Sequence, residues 1–134
     1  QPKPRWIPTV VEKDSRVFID VASLRLLEAE VVEATVERRY SQIREDSVLL
    51  ETSTPSRMMF RRFYYTRSRG VQRFDCVGRR AALLRMAWYD AGGEEVRTIS
   101  FDARYRGGLP EMGQRNLDEA CRLARAIADR AKKH

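Results

Sequence analysis

The chain holds a single histidine, at its last position (His134), and only two cysteines in 134 residues. One terminal histidine excludes a Ser-His-Asp or Cys-His centre unless another chain supplies the base. Two cysteines far apart and one histidine cannot furnish the four soft ligands of a tetrahedral zinc site. Glycine is sparse, and Gly92-Gly93 and Gly107-Gly108 lack the spacing and setting of a phosphate-cradling loop. No apolar run approaches the roughly 20 residues that a membrane-crossing helix needs. No internal repeat is evident. Carboxylates are plentiful, but none pair convincingly along the chain. Asp20 and Asp75 each close an apolar stretch, and both read as acceptors for backbone amides at strand ends. No catalytic residue, metal or cofactor is therefore assigned, and the chain is not read as an enzyme.

What is present fits one domain spanning 1–134, with a hydrophobic share of 43% to fill one core. The formal net charge is +7. Residues 57–80 carry eight arginines against one acid, Asp75, and the rest of the chain balances to zero. The sequence thus predicts one positive patch rather than a diffuse field. Arginine outnumbers lysine 22 to 4, which a biased genome composition also produces, so arginine identity alone argues little.

Along the chain, Arg5 to Val11 reads as an edge strand, because Pro8 cannot donate to a central ladder. Lys13-Asp14-Ser15-Arg16 is a turn, and Val17-Phe18-Ile19-Asp20 returns. Ser23-Leu24-Arg25-Leu26 reads as one helical turn. Glu30 to Ile43 shows the clearest period of two: Val32, Ala34, Val36 and Tyr40 on one face, Glu33, Thr35, Glu37 and Arg39 on the other. That is a half-buried antiparallel strand, with a helix as the competing reading. Ser41 to Ser56 has no period, and a mobile loop is expected there. Arg57 to Cys76 interleaves aromatics with arginine, and Gly70 is expected to break it. Ala82 to Tyr89 reads as a strand with Leu84, Met86 and Trp88 on one face, turning at Asp90-Ala91-Gly92-Gly93 into Glu95 to Phe101. Arg104 to Gly113 reads as loop. From Asn116 to Lys133, Leu117, Ala120, Cys121, Ala124, Ile127, Ala128 and Ala131 form one helical stripe. Strands first and a helix last argue for an α+β fold, an antiparallel sheet of about six strands with the C-terminal helix on one face.

Cys76 closes one of these strands and Cys121 lies within the helical stripe. They are either one cross-link between two elements, which requires an oxidising compartment, or two reduced buried thiols of a cytosolic protein.

Taken in order, several motifs resemble the bacterial surface-adhesin E family. Trp6-Ile7-Pro8 and Val17-Phe18-Ile19-Asp20-Val21-Ala22-Ser23 are similar to its opening motifs. Phe74-Asp75-Cys76 with Arg79, then Tyr89-Asp90 and Gly93 to Val96, resemble its central one, and Cys121 matches its C-terminal cysteine. The likeness covers nearly the whole chain. It implies an exported protein with an antiparallel sheet, a C-terminal helix and a Cys76–Cys121 disulfide, able to form a homodimer. It also implies adhesion to host matrix or plasma proteins. Three departures stand beside it: no cysteine near residue 1 to carry a lipid, no tryptophan in the stretch just before Pro110 where the family often has one, and a helix running well past Cys121.

The expectation is a non-enzymatic binding protein of the periplasm or cell surface, its export signal removed ahead of Gln1. Its surface is expected at Arg57, Arg61, Arg62, Arg67, Arg69 and Arg73, offered to a host matrix or plasma protein or an acidic glycan. Two alternatives use other logic. A single-strand nucleic-acid binder could stack bases on the same aromatics. Against it, Arg69-Gly70 is followed by Val71 where an RNA-recognition motif needs an aromatic. A periplasmic structural or assembly protein would need no host ligand.

Overall fold

Half-buried alternation, clearest along Val31–Val36, leaves a strand with one face to hide, and the chain hides it by folding back on itself repeatedly. The computed structural model describes residues 3–28, 30–50 and 59–132. Among these, six strands precede one helix: β1 (Trp6–Val11), β2 (Ser15–Glu28), β3 (Val31–Leu50), β4 (Met59–Asp75), β5 (Arg80–Tyr89), β6 (Glu95–Ser100) and α1 (Glu111–Lys132). The strands lie in sequence order in one sheet, each antiparallel to the next. The α+β reading holds, and so does the edge position of Pro8.

The core lies between α1 and the β1–β4 side of the sheet. Val17 and Ile19 of β2, Val32, Ala34 and Val36 of β3 and Phe74 of β4 meet Leu117, Ala120, Cys121 and Ala124. Alanine at two of the helix positions lets the backbone come close to the sheet. Three polar links orient the helix: the Thr9 hydroxyl donates to Asn116 Oδ1 at 2.8 Å, Arg125 pairs with Glu30 at 2.7 Å, and Arg79 pairs with Asp118 at 2.6 Å. The Cys76–Cys121 disulfide forms, with 6.0 Å between the Cα atoms, and ties the turn after β4 to the middle of α1. No helix among the described residues is long and apolar enough to cross a membrane.

Several local readings change, among them the start of the helix, which opens at Glu111 inside the predicted Arg104–Gly113 loop. Ser23 to Leu26 is not a helical turn but part of β2. The ladder to β3 is irregular between Asp20 and Arg25, and there the Ser23 hydroxyl accepts from the Thr35 amide at 2.9 Å. Ser41 to Leu50 is strand rather than loop; residues 51–56 of that predicted loop lie outside the described ones. Its seven residues from Arg44 pair with Met59–Tyr65 of β4, forming a two-stranded ribbon with no neighbouring strand on either outer edge among the described residues. No period shows there because both faces of a ribbon are largely wet, so nothing selects alternate apolar positions. Gly70 does not interrupt β4: it is buried mid-strand, where an added Cβ would lie 2.8 Å from Met86 Sδ. Met86 Sδ and Leu83 Cδ1 occupy the space a Cβ would take, so any larger residue would have to push these two side chains aside.

On β5, the predicted Leu84–Met86–Trp88 face is cut by a bulge. Val71 pairs with Arg85 but Gln72 with Leu83, so Leu84 is the extra residue and Leu83 joins Met86 against Gly70 instead. The helical stripe also ends early, with Ala124 its last buried member and Ile127 43% exposed.

Candidate functional site on the open sheet face

The helix covers one face of the sheet. The opposite face is built from the polar side of β3, where alternation points Glu33, Thr35, Glu37 and Arg39 away from the core. The β3–β4 register sets Glu37 across from Arg69, Glu33 across from Arg73 and Arg39 across from Arg67. These are directly opposed antiparallel pairs, close enough for the long side chains to meet.

Glu37 is wholly buried, although it lies on the face away from the core. Its Oε1 accepts from Arg69 Nε at 3.1 Å and Nη2 at 2.8 Å, and its Oε2 accepts from Arg39 Nε at 2.7 Å. Arg67 Nη1 stands 3.8 Å away. A carboxylate hidden from water is tolerated only when its lone pairs are used and its charge is matched, and here both conditions are met. The guanidiniums that cover it are themselves flanked by aromatic rings. Arg69 lies 5.1 Å from the Trp6 ring and 5.0 Å from that of Tyr89, and Arg39 lies 4.0 Å from that of Phe18. Cation–π attraction of this kind holds a guanidinium in place at a partly dry site.

Beside this cluster runs a groove of about 830 Å³, lined by Trp6, Tyr89, Arg25, Glu33, Arg69 and Arg85 among others. Small residues, among them Ala22, Thr35 and Ala87, line it. Glu33 is held by Arg73 at 3.2 Å and Arg25 at 3.4 Å. Asp20 Oδ1 accepts from the backbone N–H of Arg5 at 2.7 Å and of Ala22 at 3.0 Å, the strand-end role expected of it. Arg85 reaches the groove, is exposed, and has no ion-pair or hydrogen-bond partner among the described residues. Arg25, Arg39, Arg67, Arg69, Arg73 and Arg85 thus stand against Asp20, Glu33 and Glu37 among the described residues of this face.

The single positive patch expected from residues 57–80 is not what forms. Arg67, Arg69 and Arg73 reach the open face. Arg61 and Arg62 lie on the ribbon, where Arg62 pairs with Glu45 at 3.3 Å. Arg79 pairs with Asp118, and Arg80 with Asp75, both beside the turn after β4. Arg57 lies outside the described residues. The division has a local cause. The β3–β4 ladder is interrupted between Arg39 and Arg44, and across it Phe63 and Tyr65 are buried, packing on Trp88 and Tyr40, while Arg67 and Arg69 turn to the other face.

Asp75 also fills its expected role, accepting from the Gly78 amide at 2.9 Å. That bond, and then Arg80, hold its carboxyl below the usual carboxylate range. Among the described residues, no three histidine, cysteine or carboxylate side chains gather as a metal site would require. Sequence reading overlooked Glu37 as the organising group, and with it Trp6, Arg39, Arg85 and Tyr89. The available signal was an acid on the wet face of β3 within a strand pair whose partner carries arginine at 67, 69 and 73, three of the four alternate positions, with Val71 between. Compared with protein-family models, with curated proteins and with solved structures, the chain finds no match in any of the three.

Proposed function

We propose that this chain is an exported, non-enzymatic binding module that holds an acidic partner on the open face of its sheet. The observation that carries the reading is the set of guanidiniums fixed around the buried carboxylate of Glu37. One acid cannot neutralise Arg39, Arg67 and Arg69 together, so the cluster keeps a positive surplus at a surface already ordered before any partner arrives. Preordering matters because immobilising a long side chain on binding costs roughly 0.5–1.5 kcal/mol. Here Glu37, Trp6 and Tyr89 have already restrained those arginines. The disulfide supports export, since such bonds persist in oxidising compartments. The resemblance to surface adhesins points the same way, toward a matrix or plasma protein or an acidic glycan as partner.

The test is retention on immobilised heparin, with salt elution, for the native chain and for an Arg67→Gln, Arg85→Gln variant. Arg85 is exposed, and Arg67 is the most distant of the three from Glu37, so neither change threatens the fold. Earlier elution of the variant is expected, because each lost contact weakens a salt-screened attraction. Unchanged elution would remove the open face as the binding surface.

A further inference from the structure

We infer that the groove beside Arg69 is a subsite for an acidic sugar, a uronate or sulfated pyranose within an oligosaccharide; the inference rests on the reading of the open face as the acceptor of an acidic partner. A charged sugar presents three features at once: an anionic group, hydroxyls that both donate and accept, and a flat C–H face that packs on aromatic rings. The groove answers each. Arg69 and Arg85 supply cationic donors, the second at liberty to turn toward a ligand. Asp20 and Glu33 supply acceptors for hydroxyl protons. Asp20 is well placed for this, because its hydrogen bonds to the backbone all use Oδ1. Trp6 and Tyr89, both half-buried, offer the apolar wall, and small side chains such as Ala22 and Thr35 leave room for a ring. The volume of about 830 Å³ falls within the range of small-molecule sites, roughly 300–1,000 Å³.

The same features disfavour the other acidic partners. A polyphosphate chain carries charge on every unit and no hydroxyl protons, so it would meet Asp20 and Glu33 with like charge alone, which is costly. An acidic sugar can turn its anionic group to Arg69 and Arg85 and its hydroxyls to the two acids. An extended acidic peptide gains its affinity from ladder hydrogen bonds at a sheet edge. The groove lies on a sheet face, where the backbone of β2 to β5 is already spent on neighbouring strands.

The experiment is calorimetric titration of the native chain with four probes: a sulfated heparin tetrasaccharide, a hyaluronan tetrasaccharide, tetraglutamate and a short single-stranded oligonucleotide. At least one of the acidic tetrasaccharides should bind about ten-fold more tightly than the peptide and the oligonucleotide, a difference of one decade in Kd. Ala22→Trp should weaken that saccharide by about ten-fold or more, because Ala22 is exposed and the added ring occupies the groove. Circular dichroism and an unchanged melting temperature show that the variant folds. Tyr89→Leu, which removes the ring from the wall, is the second variant and should act in the same direction. If peptide or oligonucleotide binds as tightly as sugar, or Ala22→Trp leaves sugar binding intact, the sugar subsite is overturned while an arginine-dependent acidic face survives. If no probe binds, or binding ignores Arg67→Gln and Arg85→Gln, the underlying reading falls as well.

Discussion

Replacing Glu37 by glutamine keeps the shape of the side chain and removes the charge on which the open face is organised. The native carboxylate accepts three short hydrogen bonds, two from Arg69 and one from Arg39. Hydrogen bonds to charged groups contribute roughly 1.5–3 kcal/mol each, neutral ones roughly 0.5–1.5. The amide keeps one acceptor and turns its NH2 group toward a guanidinium, so one arginine contact is lost and the other weakened. Arg39 and Arg69 remain 40% and 30% exposed, and water recovers part of what they lose. After that discount the cost is about 2 kcal/mol. In urea this lowers the unfolding midpoint by roughly 1 M, taking a slope of about 2 kcal/mol per M for a domain of this size. Arg62→Gln is the internal control. Its pair with Glu45 is 73% and 48% exposed, and it should cost less than about 0.5 kcal/mol. The assay is urea unfolding of the disulfide-intact protein followed by tryptophan fluorescence. The reasoning is refuted if Glu37→Gln stays within about 0.5 kcal/mol of the native chain, or if Arg62→Gln costs as much.

Three further outcomes follow from the fold. Replacing Cys76 and Cys121 together by alanine opens a link across 45 residues, which chain entropy values at about 4 kcal/mol; a urea midpoint unchanged by the double substitution would contradict that. Leu117→Ala should cost about 2–4 kcal/mol, whereas Ile127→Ala, beyond the covered part of the helix, should cost under about 0.5; equal losses in melting experiments would place Ile127 in the core after all. Asp75 should titrate below an ordinary aspartate, because the Gly78 amide and Arg80 favour its ionised form. Its contribution to stability is therefore complete above the unfolded carboxylate range and lost as pH falls through the folded value. Carboxyl titration by NMR showing a normal or raised value would remove this contribution.

Much of the architecture was legible from local pattern. The alternation from Val32 to Tyr40, the proline in β1, the Asp90–Gly93 turn and the stripe around Leu117 each signal their element through neighbouring residues alone. The failures fall where no nearby residue carries the signal. Arg44 to Leu50 is strand because β4 lies beside it, and its own composition shows no period. Gly70 is tolerated mid-strand because Met86 and Leu83 occupy its side-chain space. The bulge at Leu84 and the irregularity after Asp20 shift which side chains share a face, and single-strand periodicity cannot register such a shift.

The candidate site shows the same division more sharply. Residue types and their spacing dictated that Glu37 would leave the core side of β3 and that arginines would crowd residues 57–80. That much is steric alternation and composition. Which arginines would meet Glu37, and which would go to the ribbon or the turn, depended on a strand register joining residues 32 apart and on the break between Arg39 and Arg44. Register is settled by the collective burial of Val32, Ala34, Val36 and Phe74 beneath the helix, since a slip of one residue would turn all of them to water.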